Sequence, residues 1–432
     1  MQSSLLASIA LICTLWSGAA SAQTLEEAIE NALRANPELG IARAQAQAAR
    51  EAVPLALSQS LPQVSLNISA LEQGSSEPNA GYVRNAPQYW STSLTTSTLL
   101  FSSGSASASR RRARGELESA LAALDEQTQR TVLEVTAVYA GVIAARANHT
   151  AREQNRDNLA HQLRYVSANV QRGFLTQTDL AMARASAEEA VAALALADLE
   201  LMQAVQAYER VVGAPPGELT APGELGSLPG ELGLALARAQ ENNPTIHRAI
   251  AALRVTEADV DSAAAQGRAR VTLETSTAFH ETLNESNIRD SDEDSIALRL
   301  SVPIYSGGAN AARTARQRAL RAAARLDVDR AQLEVRERVT VAWTRVISTR
   351  AALTASRARI EAAELAQRGI RREQQAGLRS TLDVLLQEET LLQARTALAR
   401  AERDHVVAQR ELAASVGILG DEIVTGQTPP AE

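Results

Sequence analysis

Phe101-Ser102-Ser103-Gly104 closes an alternating, strand-like stretch and opens a run free of proline that reaches Arg172. Tyr305-Ser306-Gly307-Gly308 does the same 204 residues later, ahead of a second such run ending near Gln375. Two further landmarks repeat at that spacing: Gly173 with Asp179 against Gly377 with Asp383, and Val212-Gly213 against Val416-Gly417. Asn36-Pro37 recurs as Asn243-Pro244 at a spacing of 207, as do Leu25, Ala28 and Ala32 as Leu232, Ala235 and Ala239. Ordered landmarks at nearly constant spacing mark an internal duplication. The sequence therefore divides into a first repeat (23–213), a Pro/Gly-rich linker (214–231) and a second repeat (232–419). A tail at 420–432, with Pro429-Pro430, is expected to be disordered.

Each repeat reads in the same order. A short helix ends near the Asn-Pro, and a second runs from there toward Pro54 or Gln266. Two strands and a long helix follow, then a glycine-containing break and a returning helix. The long helices are expected at about 105–172 and 309–375, the returning ones at about 178–212 and 382–416. Ala, Leu, Arg, Glu and Gln fill them, all good helix formers. At 1.5 Å per residue a helix of this length extends ~100 Å, so it needs partners of similar length to be stable. In the linker, Pro-Gly-Glu-Leu occurs three times, from Pro216, Pro222 and Pro229. Such Pro/Gly density stops helices and predicts an exposed connector.

The strands are expected at about 64–71, 90–101, 271–279 and 295–305. Val64, Leu66 and Ile68 oppose Ser65, Asn67 and Ser69; Ile296, Leu298, Leu300, Val302 and Ile304 oppose Ser295, Ala297, Arg299 and Ser301. Val271, Leu273 and Phe279 share one side, and Arg270, Thr272, Glu274 and Ser276 the other. Period-2 patterning gives each strand an apolar and a polar face. These lengths suffice to cross an outer membrane at a tilt. Tyr82, Tyr89, Trp90, Phe101, Phe279 and Tyr305 fall in or beside the strands, where interfacial girdles belong. The charged members of the polar face, Arg270, Glu274 and Arg299, suit a watery lumen. A soluble, half-buried sheet shows the same alternation. If the sheet does enter a membrane, four strands cannot close a barrel, so several chains are required.

The chain is 432 residues long with a net charge of −7, and all 43 of its basic residues are arginine. That balance gives no basic surplus for nucleic acid. Leu5–Trp16 followed by Ala20-Ser21-Ala22 reads as a secretory signal peptide (1–22) cut after Ala22; the apolar run is too short to span a bilayer. Cys13, the single cysteine, lies within it, leaving the mature chain without a thiol, disulfide or Cys-based metal site. Beyond the leader no apolar stretch is expected to reach the length of a transmembrane helix.

This ordered set resembles the TolC family of outer-membrane efflux proteins over nearly the whole mature chain. It comprises duplicated Asn-Pro helices, two strand pairs, Val302-Pro303-Ile304-Tyr305-Ser306-Gly307-Gly308 before a long helix, and Gly-x5-Asp breaks. The resemblance implies a mainly α fold with a β membrane part: a homotrimer in which each chain gives four strands to one 12-stranded transmembrane β-barrel set on a periplasmic α-helical barrel. It implies an exit duct in the bacterial outer membrane, embedded in outer-membrane lipid and extending into the periplasm. The duct would work with a periplasmic adaptor (membrane fusion) protein and an inner-membrane transporter, without covalent chemistry. On this resemblance Gly173, Phe174, Leu175, Gly377 and Leu378 form the adaptor-contacting tip. Asp179 and Arg379 match positions that pair across the closed tip, and Asp383 one that lines the constriction. Capping of the next helix's first turn is an equal reading of Asp179 and Asp383. The chain departs from the family at Leu386, where a second constriction carboxylate is expected, and at Gln374, where a Tyr is common.

His149, His161, His247, His280 and His405 show no metal-ligand spacing and read as solvated surface. No phosphate loop, G-x-S-x-G or H-E-x-x-H is present, so no catalytic, cofactor or metal site is expected. Arg110-Arg111-Arg112 with Arg114 reads as a solvated collar beside the second strand. The acidic stretch His280–Asp294 reads as an outer loop, with divalent-cation binding the sharper alternative. As a function, the sequence supports an exit duct for small-molecule efflux or type I secretion, with a soluble periplasmic coiled-coil scaffold as the competing class.

Overall fold

The computed structural model describes residues 23–72, 88–226, 228–282 and 291–419. The expected signal peptide, the tail and Tyr82 lie outside the described residues. In chain order the elements are α1 (Leu25–Ala35), α2 (Pro37–Ser58), β1 (Gln63–Glu72), β2 (Gln88–Phe101), α3 (Ser105–Gln171) and α4 (Gln177–Val212). The second repeat supplies α5 (Leu232–Asn242), α6 (Pro244–Ala265), β3 (Arg270–Thr282), β4 (Ser291–Ser301), α7 (Ala309–Gln375) and α8 (Thr381–Val416). The chain forms two compact units, one of residues 42–123 and 245–332, the other of the remaining segments.

The first unit holds the sheet. Its four strands pair antiparallel in the order β1-β2-β3-β4, so the hairpins of the two repeats join through β2 and β3. Register aligns Leu66 with Leu94, Leu94 with Thr277, and Thr275 with Ile296, so residues of like polarity share a face across the sheet. A bulge between Leu99 and Phe101 shifts the β2–β3 register. Strand β4 differs from the expected 295–305: it begins at Ser291 and stops at Ser301. Pro303 has no amide to donate to a ladder, which ends the strand early. At its start β4 pairs with β3 through His280, so both strands run into what the acidic pattern suggested was loop.

The turns that launch the long helices are alike in both repeats. Ser102 Oγ accepts from the Ala106 amide at 3.1 Å, and Ser306 Oγ from the Asn310 amide at 3.4 Å. The next residue is left-handed in each case, Ser103 at φ 51° and Gly307 at φ 61°. Glycine takes that conformation freely. Ser103 holds it while donating its hydroxyl to the Ala269 carbonyl at 2.7 Å. The arginine cluster is only partly a solvated collar: Arg111 pairs with Asp261 at 2.7 Å and Arg112 with Asp259 at 3.5 Å, tying α3 to α6. Gly115 lets these helices approach, since a Cβ there would stand 2.9 Å from Val255 Cγ2.

The second unit holds the main apolar core. Leu25 and Ile29 of α1 pack with Val132, Val135 and Tyr139 of α3, and with Tyr208 and Val211 of α4. The Asn-Pro landmarks are helix boundaries: Asn36 Oδ1 accepts from the Glu38 amide at 2.8 Å, and Pro37 opens α2 where its missing N–H costs nothing. Helix α2 continues past Pro54 to Ser58, beyond the expected stop.

The linker is docked instead of free. Arg146 donates to the Gly217 carbonyl at 2.9 Å, and Tyr139 donates to the Thr220 carbonyl at 2.7 Å. Gln23 forms an isolated bridge with Leu219. In each Pro-Gly-Glu-Leu the glutamate is exposed and the leucine half-buried, so the repeat presses Leu219, Leu225 and Leu232 inward. His405 likewise departs from the expected solvated surface: it is 4% exposed, with Nδ1 3.1 Å from Thr349 Oγ1 and Nε2 3.1 Å from the Gln409 amide nitrogen. Burial holds its pKa below the usual histidine value, reinforced by the Arg350 charge.

Candidate gate and lumen

The lumen candidates arise from strand periodicity. Thr272 pairs with Arg299 and Glu274 with Ala297, which puts Arg270, Glu274 and Arg299 on one face. Arg299 Nη2 donates to Glu274 Oε2 at 3.1 Å, and Ser69 and Ser91 hydroxyls meet at 2.7 Å on that same face. The opposite face carries Val64, Leu66, Ile68, Leu94, Leu298 and Leu300, all exposed in the single chain. Trp90 and Phe279 stand near one end of this apolar band, and Phe101, beside Val271, at the other. On β2 and β3 the eight-residue span from Val271 to Phe279 is uncharged on this face and ~20 Å tall at the usual strand tilt, close to an outer-membrane barrel's band, whereas on β4 Asp294 and Asp292 stand opposite Thr277 and Phe279. Acidic residues (Asp294, Asp292, Glu281) appear on this face from the level of Thr277 onward, toward the 283–290 connection, which lies outside the described residues along with Glu285 and Asp290. Among the described residues no group of three or more His, Cys, Asp or Glu could hold a metal.

The tip candidates form two turns with one construction. Gly173 is left-handed at φ 78° and Gly377 at φ 77°. The Gly173 amide donates to the Val170 carbonyl at 3.0 Å and the Phe174 amide to Asn169 at 2.9 Å. Gly377 donates to Gln374 at 2.9 Å and Leu378 to Glu373 at 2.8 Å. Both are Schellman caps, which need the left-handed residue that glycine supplies. The next helix is then started by a capping box. The Asp179 amide donates to Thr176 Oγ1 at 3.1 Å, and the Thr176 amide to Asp179 Oδ2 at 3.0 Å. Ser380 and Asp383 repeat the pair at 3.2 and 3.0 Å. Phe174 and Leu378 are each 76% exposed at the turn apex, and Leu175 is half-buried.

Both carboxylates are thus cap partners within the chain. The Thr176 hydroxyl, then its amide, hold Asp179 below the usual carboxylate range. The Ser380 amide, then its hydroxyl, do the same for Asp383, with a smaller pull from Arg379. Within one chain Arg379 pairs with Glu373, Nε to Oε2 at 2.7 Å, which raises its pKa, and Asp179 makes no ion pair with it. Gln374 and Leu386 lie beside this turn, and Leu386 is exposed.

Sequence reasoning missed Glu388, two turns into α8. It is 3% exposed yet carries a full set of donors. Arg371 Nη2 reaches Glu388 Oε1 at 2.7 Å and Arg371 Nε reaches it at 3.0 Å. Gln367 donates at 2.9 Å, and Asn158 of α3 donates to Oε2 at 3.0 Å. The signal available was a glutamate three residues after Leu385 and four before Leu392, on their apolar face, with an arginine across the hairpin.

An open four-stranded sheet with one apolar and one polar face is joined to duplicated helical hairpins. The chain belongs to the outer membrane efflux protein family, whose model matches residues 28–214 and 235–418, and this places it in the outer membrane. It is 32% identical over 294 residues to the outer membrane efflux protein BepC of Brucella suis biovar 1, covering 68% of this chain and 64% of that protein. It is 27% identical over 323 residues to the alkaline protease secretion protein AprF of Pseudomonas aeruginosa, covering 70% and 66%. The matches thus span just under two thirds of each relative's length. The crystal structure of the outer membrane protein VceC from Vibrio cholerae shares the fold with a TM-score of 0.76, at 20% identity over 91% of this chain and 96% of that one. The mainly helical two-repeat fold is as expected from the sequence.

Proposed function

We propose that three copies of this chain form an outer-membrane exit duct, coupled in the periplasm to an adaptor protein and through it to an inner-membrane transporter. One observation carries the reading: the sheet has an apolar face that turns acidic only toward one end, an opposite face bearing the Arg299–Glu274 pair, and two edges, β1 and β4, with no partner strand among the described residues. An exposed edge of this length is a pairing template, and closure into a barrel removes it. A soluble scaffold has no use for an apolar face left bare. The work is conduction, driven by the partners, with no covalent step.

The domain boundaries follow the repeats: 1–22 as leader, 23–213 and 232–419 as the two repeats, 214–231 as a docked linker, 420–432 as tail. At the tip, Gly173, Phe174, Leu175, Gly377 and Leu378 offer the adaptor an apolar, rigidly turned surface. Asp383 from three chains rings the entrance, and Arg379 of one chain meets Asp179 of the next. Both kinds of cargo remain in play, since one relative is named for efflux and another for protease secretion. Fractionation tests the duct. Recovery from outer membranes as an oligomer that dissociates only on boiling supports it; recovery from the periplasm as a heat-labile monomer overturns it.

A further inference from the structure

Position 388 differs between the repeats in a way the turns do not. At the 204-residue spacing Glu388 corresponds to Arg184, Gln367 to Leu163 and Arg371 to Ser167. Only the second hairpin therefore builds a buried carboxylate, on α8, with donors from two other helices. Two of those donors, Gln367 and Arg371, lie on α7 of its own hairpin, and the third, Asn158, lies on α3 of the first repeat. A buried carboxylate is costly unless every lone pair is engaged, and here each oxygen has a partner. Separating α8 from α3 would strip Asn158 from Oε2 and expose the rest to water. The neighbouring contact between the hairpins, Leu385 against Leu159, Ala187 and Ala190, is apolar and built on small residues that tolerate sliding. Two directional bonds cross here from α8 to α3: Arg395 donates to the exposed Gln154, and Glu388, which is buried, accepts from Asn158.

Resting on the duct reading above, we infer that Glu388 is an intrachain latch: by binding Asn158 it holds the second hairpin against the first and keeps the periplasmic entrance closed. The tip charges differ from it in kind, because Asp179, Asp383 and Arg379 are engaged by Thr176, Ser380 and Glu373 of their own turns. They brace each turn and join no two hairpins of one chain. Opening would instead require the Glu388–Asn158 bond to break while Arg371 and Gln367 keep the carboxylate satisfied within the second hairpin. That makes a two-position element: Glu388 is paired in both states, and only the α3 contact is exchanged.

The test compares closed-state conductance in planar bilayers for wild type, Asn158→Ala, Asn158→Asp, Glu388→Gln and the double variant Asn158→Asp/Glu388→Gln. Asn158→Ala, at a half-buried position, removes only the α3 donor and is the variant expected to assemble whatever Glu388→Gln does. Asn158→Asp sets two carboxylates together. Each single variant is expected to raise closed-state conductance severalfold, and the double variant, in which an amide again faces a carboxylate, to return toward wild type. Unchanged conductance in assembled Asn158→Ala and Asn158→Asp channels, with only lowered thermal stability, would reduce Glu388 to a packing role and overturn the latch. A wild type that forms oligomers in the outer membrane yet leaks as freely as the variants also overturns it. A wild type that forms no channel at all removes the duct reading itself.

Discussion

The first and second hairpin turns, Gly173–Asp179 and Gly377–Asp383, keep the groups that fix the backbone and change most of the others. Both have a left-handed glycine, a hydroxyl cap and an aspartate that closes the box. Between them Phe174 becomes Leu378, Leu175 becomes Arg379 and Thr178 becomes Leu382. One turn further in, the repeats diverge in chemistry, Leu163, Ser167 and Arg184 against Gln367, Arg371 and Glu388. Duplication thus preserved what makes a hairpin and freed what lies between hairpins. A trimer of such chains has six hairpins of two kinds, and only one kind carries the buried ionic contact.

The comparison is most easily broken at the other ends of the returning helices. Gly213 and Gly417 are both left-handed, at φ 83° and 88°. A Cβ on Gly417 would stand 2.5 Å from the Asn242 carbonyl oxygen, whereas one on Gly213 would meet only Ala35 Cβ at 3.4 Å. Gly417→Ala is expected to destabilise by on the order of 3 kcal/mol and Gly213→Ala by about 1 kcal/mol, read from thermal loss of helical signal in detergent. Equal losses would mean that α5 can withdraw from α8 at no cost.

The caps should behave as equals. Thr176→Ala and Ser380→Ala are each expected to cost about 1 kcal/mol, with slowed amide exchange protection lost in the first turns of α4 and α8. A loss confined to one repeat would show that the shared geometry hides unequal helices.

The smallest effect is on pH. Asp179 and Asp383 have folded pKa values held below their ordinary value of 3.8. Their stabilisation is therefore complete above about pH 4 and is lost as pH falls through the depressed values. Asp179→Asn and Asp383→Asn should each lower the neutral-pH plateau slightly and flatten the acid limb, so that variant and wild type converge at low pH. A loss that persists undiminished at low pH would contradict the cap assignment.

Backbone-determining features were the legible ones. The Gly-x5-Asp breaks, the Asn-Pro boundaries and strand alternation each act within a few residues, so sequence spacing displays them directly. That is also how Arg270, Glu274 and Arg299 could be placed on one face before any strand was paired. What stayed hidden depends on neighbours far away in the chain. Glu388 meets Asn158 across 230 residues, and no local pattern announces that pairing. Pro-Gly-Glu-Leu correctly excluded helix from the linker but could not show that Tyr139 and Arg146 would tie it down. His405 was misread for the same reason: its burial comes from α7 and the linker, not from its own helix. Proline placed β4's end at Ser301, a local signal outweighed in the reading by the alternation that continues to Ile304.

The central claim is that the bare edges β1 and β4 pair between chains. Cys13 is the only cysteine in the sequence, so introduced thiols can report this cleanly. Chains carrying Asn67→Cys on β1 would be coexpressed with chains carrying Ser295→Cys, Ala297→Cys or Arg299→Cys on the same face of β4, and outer membranes oxidised. The account predicts a disulfide joining the two different chains for at least one of the three β4 positions, within a species of three chains. Absence of interchain disulfides at all three positions, in a protein that remains monomeric, would contradict it.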